Sequence, residues 1–138
     1  MAQLLIFRLG EEVYGLEISA IQEILEAPTV CFLPRAPWYL QGVVNLHGNV
    51  VPVLDLVSYL GFNDEMRAER KIVLSPSLCR LALSVSSIHR IVKAEEERFL
   101  AVQNESEQGA CVRAVVPHEG MMVNVLDISR LLAGLAQI

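Results

Sequence analysis

The sequence predicts an all-β fold with short helices, in which two small barrels pack together. Three observations carry this. Apolar residues make up 53% of the 138 positions and aromatic ones only 6%, a balance suited to compact cores of branched aliphatics. Short apolar runs alternate with turn residues along the whole chain. The third observation is an internal repeat. Residues 43–60, VVNLHGNVVPVLDLVSYL, align without gaps on residues 115–132, VVPHEGMMVNVLDISRLL. Val43, Val44, Gly48, Val51, Val53, Leu54, Asp55 and Leu60 find identical partners there. A weaker echo joins residues 13–24 to residues 80–91 through Leu16/Leu83, Ser19/Ser86, Ile21/Ile88 and Ile24/Ile91.

The elements follow in order. Residues 4–9 read as a first strand, Gly10-Glu11-Glu12 as a short polar hairpin turn, and residues 13–18 as the returning strand. Ile18, Ile21 and Leu25 fall at i, i+3 and i+7, which predicts about two turns of helix. Pro28 ends it, because proline drives the residue before it out of helical geometry. Leu33-Pro34-Arg35-Ala36-Pro37-Trp38 reads as a stiff, extended connection. A hairpin then begins at Gln41-Gly42-Val43-Val44-Asn45, turns at Leu46-His47-Gly48-Asn49 and returns through Pro52 to Leu54. Gly48 and its repeat partner Gly120 supply the positive φ that such tips favour. Asp55 and Asp127 sit where strand gives way to a short helix, at residues 56–60 and 128–135. An N-cap role for both carboxylates outweighs an acid/base pair, since each half needs such a cap. The second half repeats the plan with strands at 71–74 and 80–85. The chain is thus one domain of two subdomains, about residues 1–66 and about 67–138. Each is a strand-rich unit of about 65 residues, too small to bury enough surface alone.

Several functions are disfavoured. The net charge of −5 argues against a nucleic-acid partner. No apolar stretch reaches the roughly 18 residues of a membrane span, and the opening residues lack the basic start of a signal peptide. Cys31, Cys79 and Cys111 are odd in number and unpaired in spacing, which suits a reducing cytoplasm and buried packing roles. His47, His89 and His118 show no metal-ligand spacing, so neither a metal nor another cofactor is expected. No nucleophile elbow or phosphate-binding loop occurs, and no catalytic residue is assigned. Glu95-Glu96-Glu97-Arg98 and Glu105-Ser106-Glu107-Gln108-Gly109 read as solvated surface. Trp38, the only tryptophan, suits either a core or an interface anchor. Charge is divided unevenly. Residues 1–66 hold two arginines against eight acids, −6, and residues 67–138 hold nine basic residues against eight acids, +1. A basic partner surface should therefore favour the first half.

With the repeat and hairpin in place, the chain resembles the CheW family, the coupling proteins of bacterial chemosensory arrays. The resemblance rests on residues 5–18 (LIFRLGEEVYGLEI), on Ile21-Gln22-Glu23-Ile24, on residues 33–37 (LPRAP) and on residues 42–56 (GVVNLHGNVVPVLDL). It implies two five-stranded SH3-like barrels and no catalytic activity. It also implies an adaptor that couples the cytoplasmic tips of methyl-accepting receptors to the regulatory domain of a CheA-type histidine kinase. By the same resemblance, Ile18, Ile21, Gln22, Glu23 and His47 face a groove between the barrels that receives the receptor hairpin. Two features depart from the family pattern. His47 stands where the signature carries Arg, exchanging a fixed multi-donor guanidinium for an imidazole. Ala82-Leu83-Ser84-Val85-Ser86-Ser87 replaces the usual Gly and Val-Val-Asp pattern. A second reading follows from them: a structural or inhibitory module that binds kinase without receptor, in a system controlling pili or gene expression.

Overall fold

Gly10, at φ 61°, turns the chain so that Leu9 faces Glu12 and Leu4 faces Glu17 across an antiparallel pair. The computed structural model describes residues 2–102 and 111–136. Its strands are β1 (Ala2–Leu9), β2 (Glu12–Glu17), β3 (Ile21–Leu25), β4 (Leu40–Leu46), β5 (Asn49–Asp55), β6 (Lys71–Leu74), β7 (Ala82–Ser84), β8 (Ser87–Ala94), β9 (Leu100–Ala101), β10 (Val112–His118) and β11 (Met121–Leu126). Helix α1 (Leu56–Tyr59) follows β5, and α2 (Ile128–Ala136) follows β11. The predicted segment 105–109 lies outside the described residues.

Two sheets form, one in the order β8-β1-β2-β11-β10-β9 and the other in the order β3-β6-β7-β5-β4. The fold is therefore the expected all-β pair of small sheets. The sheets do not coincide with the two halves of the sequence, however. Each takes two strands from the start of one repeat and three from the end of the other. In the first sheet β1 and β2 are joined by β8, β10 and β11, with the two-residue β9 appended. In the second, β6 and β7 are joined by β3, β4 and β5. The boundary near residue 66 thus divides the repeats and not the barrels. The cause lies in the crossings. A single 3₁₀ turn at Ile18–Ala20 carries the chain from one sheet to the other, so β3 pairs with β6 and β8 with β1. Parallel contacts complete each sheet, Tyr14 opposite Asn124 and Val53 opposite Ala82.

Burial divides in the same way. Leu4, Ile6, Val92, Val116 and Val123 fill the first sheet, and Val44, Leu46, Val51, Val53 and Val73 fill the second. A third cluster, with Phe7, Leu16, Leu54, Leu74, Leu83 and Leu131, lies between them. β1 supplies both sides, because successive side chains point to opposite faces. Much of the large apolar fraction goes into these three cores, while Phe32, Trp38, Val50 and Met66 stay exposed.

The repeat holds down to single hydrogen bonds. The Asp55 N–H donates to Tyr39 O at 2.8 Å and the Asp127 N–H to Cys111 O at 2.6 Å. The Asp55 carboxylate accepts from the Ser58 N–H at 3.4 Å, and the Asp127 carboxylate from the Arg130 N–H at 3.1 Å. Both aspartates are N-caps, as expected. Both hairpin tips are type I′ turns, with His47 and Gly48 at φ 51° and 84° and Glu119 and Gly120 at 48° and 79°. Asn45 Oδ1 braces the first by accepting the Gly48 N–H at 3.0 Å. Gly42 has a different reason to be glycine: a Cβ there would lie 2.2 Å from the Cys31 carbonyl oxygen. Val43 exchanges both its backbone hydrogen bonds with Cys31, so it does not bond Pro52 opposite. The missing N–H of Pro52 therefore faces the β7 side, where pairing begins only at Val53.

Three local expectations are corrected. The helix expected over Ile18, Ile21 and Leu25 is a 3₁₀ turn followed by β3, paired as Ile21 to Leu74 and Ile24 to Ile72. A two-turn helix is marginal by itself, and the ladder to β6 outcompetes it. The proline segment is not extended. Pro34 and Arg35, the latter at φ 64°, form a turn closed by the Ala36 N–H on Leu33 O at 3.3 Å. Cys31 is exposed at the surface, while Cys111 is buried.

Candidate partner-binding groove

The 3₁₀ turn that moves the chain between sheets also leaves a cleft along their seam. Leu16, Glu17, Ser19 and Ala20 form one wall, and Leu126, Asp127, Ile128 and Ser129 the other. The β6–β7 loop closes one end with Ser77 and Leu78, anchored by the Ser75 N–H on Ala20 O at 2.8 Å. The cleft holds about 310 Å3. Its deeper part is apolar, with Leu16, Leu126 and Ile128 all buried. Its margin is charged: Arg113 Nη2 donates to Glu17 Oε1 at 2.6 Å, and the guanidinium lies 5.5 Å from the centroid of the Phe99 ring. An apolar floor with a polar rim suits the packed face of a helix.

Of the residues expected here, Ile18 and Ile21 pack partly buried against the seam cluster. Gln22 and His47 line a separate depression of about 70 Å3 beside it, with Leu46, Asn49 and Arg80. Glu23 joins them, its Oε1 3.3 Å from His47 Nε2. That oxygen is buried and makes no hydrogen bond among the described residues. The structure thus brings Gln22, Glu23 and His47 together at one end of the second barrel, through the closeness of β3 to the β4–β5 tip. Asn45, Gly48, Asp55, Gly120 and Asp127 shape tips and caps, while Gly42 and Pro52 sit within β4 and β5. Only Asp127, at the start of α2, also reaches the seam cleft.

Arg113 and Leu78 had no signal in the sequence. The partner of Arg113 lies 96 residues away, and Leu78 reaches the cleft only because its loop folds over the seam. Trp38 is not a core residue. It is 69% exposed and stacks on Tyr59 with centroids 6.5 Å apart. Among the described residues no group of His, Cys, Asp and Glu could hold a metal ion. Burial pushes the Cys111 thiol above its ordinary pKa, away from the nucleophilic thiolate.

The comparisons agree with this architecture. Residues 3–136 match the CheW-like domain. The chain belongs to the CheW-like domain family. It is 21% identical over 131 residues to the chemotaxis protein CheW of Thermotoga maritima, covering 94% of this chain and 87% of that one. It is 29% identical over 102 residues to the chemotaxis protein CheW of Treponema pallidum, covering 69% and 59%. The crystal structure of the scaffolding protein TtCheW from Thermoanaerobacter tengcongensis shares the fold, with a TM-score of 0.81 at 22% identity over 91% of this chain and 88% of that one. Like that structure, this CheW-like chain is built from two β subdomains. Among its described residues no helix is long and apolar enough to cross a membrane.

Proposed function

We propose that this chain is a non-enzymatic, cytoplasmic adaptor of chemotaxis signalling. It couples the cytoplasmic tip of a methyl-accepting receptor to the regulatory domain of a CheA-type histidine kinase. The observation that carries this is the seam cleft, an apolar floor edged by Glu17 and Arg113 and flanked by Ile18 and Ile21. Membership of the CheW-like family supports the same role. A receptor helix would lay its apolar face along Leu16, Leu126 and Ile128 and set its register against the charged margin. Kinase contacts at the barrel ends leave the cleft free.

The test is a pull-down with the cognate kinase regulatory domain and receptor fragment. Ser19→Arg and Ile21→Asp should each lower receptor capture several-fold and leave kinase capture intact. Ser19 is exposed, so its substitution probes the cleft without disturbing the core. Absence of kinase binding by the parent protein sinks the proposal.

A second reading is favoured by one observation, the pairing of His47 with Glu23 away from the cleft. Under it, the chain binds kinase and not receptor, as a structural or inhibitory module in a pilus or gene-regulatory system. Kinase capture without receptor capture, restored by His47→Arg, identifies this case.

A further inference from the structure

The two barrels differ at equivalent ends. In the second barrel, Leu46 precedes the β4–β5 tip, is 7% exposed and belongs to the core. The repeat places His118 at the same position before the β10–β11 tip. The consequences are large. The depression at the Leu46 end is about 70 Å3, whereas the His118 end opens into a cavity of about 370 Å3. Its floor, Ile6, Val13, Val92 and Val123, is the first barrel's own core. Its rim carries Arg8, His89, Arg90 and His118. The buried His118 Nε2 makes no hydrogen bond among the described residues, and the Glu119 carboxylate stays 3.8 Å from it.

A leucine missing from a barrel mouth, replaced by an unpartnered imidazole, leaves an apolar well under polar donors. The volume lies within the range of small-molecule pockets, about 300–1,000 Å3, and barrel mouths are common sites for them. The rim also displays the group it would hold, since the Glu119 carboxylate pairs with Arg90 and approaches His118. Arg90 holds that carboxylate, and Arg8 on the same rim donates only from Nη1 to the Glu11 carbonyl at 3.3 Å among the described residues, so donors remain for a second.

We propose that the open end of the first barrel binds a small organic carboxylate with an apolar body. The carboxylate engages Arg8, Arg90 and His118, and the body covers Val13 and Val123. This site is distinct from the seam cleft and adds a ligand input to the adaptor role.

The test titrates the full chain with 3-phenylpropionate and follows amide shifts by heteronuclear NMR. Saturable shifts at Ile6, Arg8, Val13, Arg90 and Val123 are expected. Acetate, which lacks the body, and 3-phenylpropanamide, which lacks the charge, should each bind at least about tenfold more weakly. His118→Leu, which copies Leu46, should fill the mouth and abolish binding. If that variant does not fold, Arg90→Gln at the exposed rim decides, with an expected loss of roughly fivefold or more. No saturable shift in this region at millimolar acid overturns the proposal. So does equal binding of the amide, or unchanged binding by folded His118→Leu or Arg90→Gln. Shifts at these amides caused by the kinase regulatory domain and never by the acid would also overturn it, making the mouth a protein interface.

Discussion

Arg67, the first residue of the second repeat, holds Asp55, the cap residue of the first. Its Nε donates to Oδ1 at 3.0 Å and its Nη2 to Oδ2 at 3.2 Å, with both side chains largely out of solvent. The same guanidinium reaches the carbonyl of Asp64, so one side chain staples the connection between repeats onto helix α1. Asp127 has the same capping role but a more exposed partner, Arg130, at 3.4 Å. Arg67→Ala should therefore cost about 2 kcal/mol, the scale of hydrogen bonds to charged groups. Asp127→Ala should cost about 1 kcal/mol, the scale of a lost N-cap. Urea denaturation measures both, and equal losses would contradict the distinction.

The glycines of the first hairpin should respond unequally. Gly42→Ala drives a methyl into the Cys31 carbonyl and separates β4 from its bridge to Cys31, so a loss above about 3 kcal/mol is expected. Gly48→Ala meets open space and incurs only the left-handed conformational penalty, about 1 kcal/mol. Thermal melts of the two variants order them. A Gly42→Ala protein as stable as Gly48→Ala would show that the Cys31 bridge is readily displaced.

Two buried groups give the alkaline stability profile opposite slopes. Burial, with help from Glu12, pushes the Tyr14 hydroxyl up to about 12 as it packs between Phe7 and Phe62. Its folded value exceeds its unfolded value, so its stabilisation is complete below about pH 10 and is lost as pH rises towards 12. Lys71 behaves in reverse. Burial lowers its pKa, although Asp55 opposes the shift, and its ammonium is held by Ala68 O and Ser84 Oγ. The folded state then binds its proton less tightly than the unfolded chain, so stability rises with pH as Lys71 loses its proton before the unfolded lysine does. Denaturation between pH 8 and 12 should show a shallower falling limb in Tyr14→Phe, with the raised Cys111 and Tyr59 groups supplying the rest of it, and should lose the rising limb in Lys71→Met. A profile unchanged by either substitution excludes the assignment.

The acidic excess of the first half is partly consumed inside the molecule. Glu17 pairs with Arg113 and Asp55 with Arg67, each across the repeat boundary. Glu23 and Glu26, which have no basic Lys or Arg partner among the described residues, remain for steering a basic surface. Replacing Glu23 and Glu26 with Gln should slow association with the kinase or receptor several-fold at low salt and flatten its salt dependence. Stopped-flow measurements at two ionic strengths check this, and an unchanged on-rate rejects electrostatic steering by these residues.

What was legible is local, and of it only Asp127 lines the seam cleft. The I′ tip at His47-Gly48 and the caps at Asp55 and Asp127 follow from a few neighbouring residues and recur in both repeats. Family resemblance has Ile18 and Ile21 face the groove, whereas they pack partly buried against the seam cluster, and their conformation was misread. Three apolar residues at i, i+3 and i+7 fit a helix face, yet so short a run cannot exclude a strand. The Glu17–Arg113 margin was invisible, since nothing in a sequence marks an ion pair between such distant positions.

By itself the sequence determined most of the strands, though not β3 or β8, and with them the hairpin tips, the caps and the existence of two related halves, because each depends on short-range pattern and backbone chemistry. The tertiary structure decided which strands share a barrel. A repeat records similarity and carries no information about pairing, so the exchange of the opening pairs β1–β2 and β6–β7 between halves depended on the 3₁₀ crossing and on closing both sheets over one seam. The same applies to Leu46 and His118. Their equivalence can be read from the alignment, but only packing shows that one fills a barrel end and the other leaves it open.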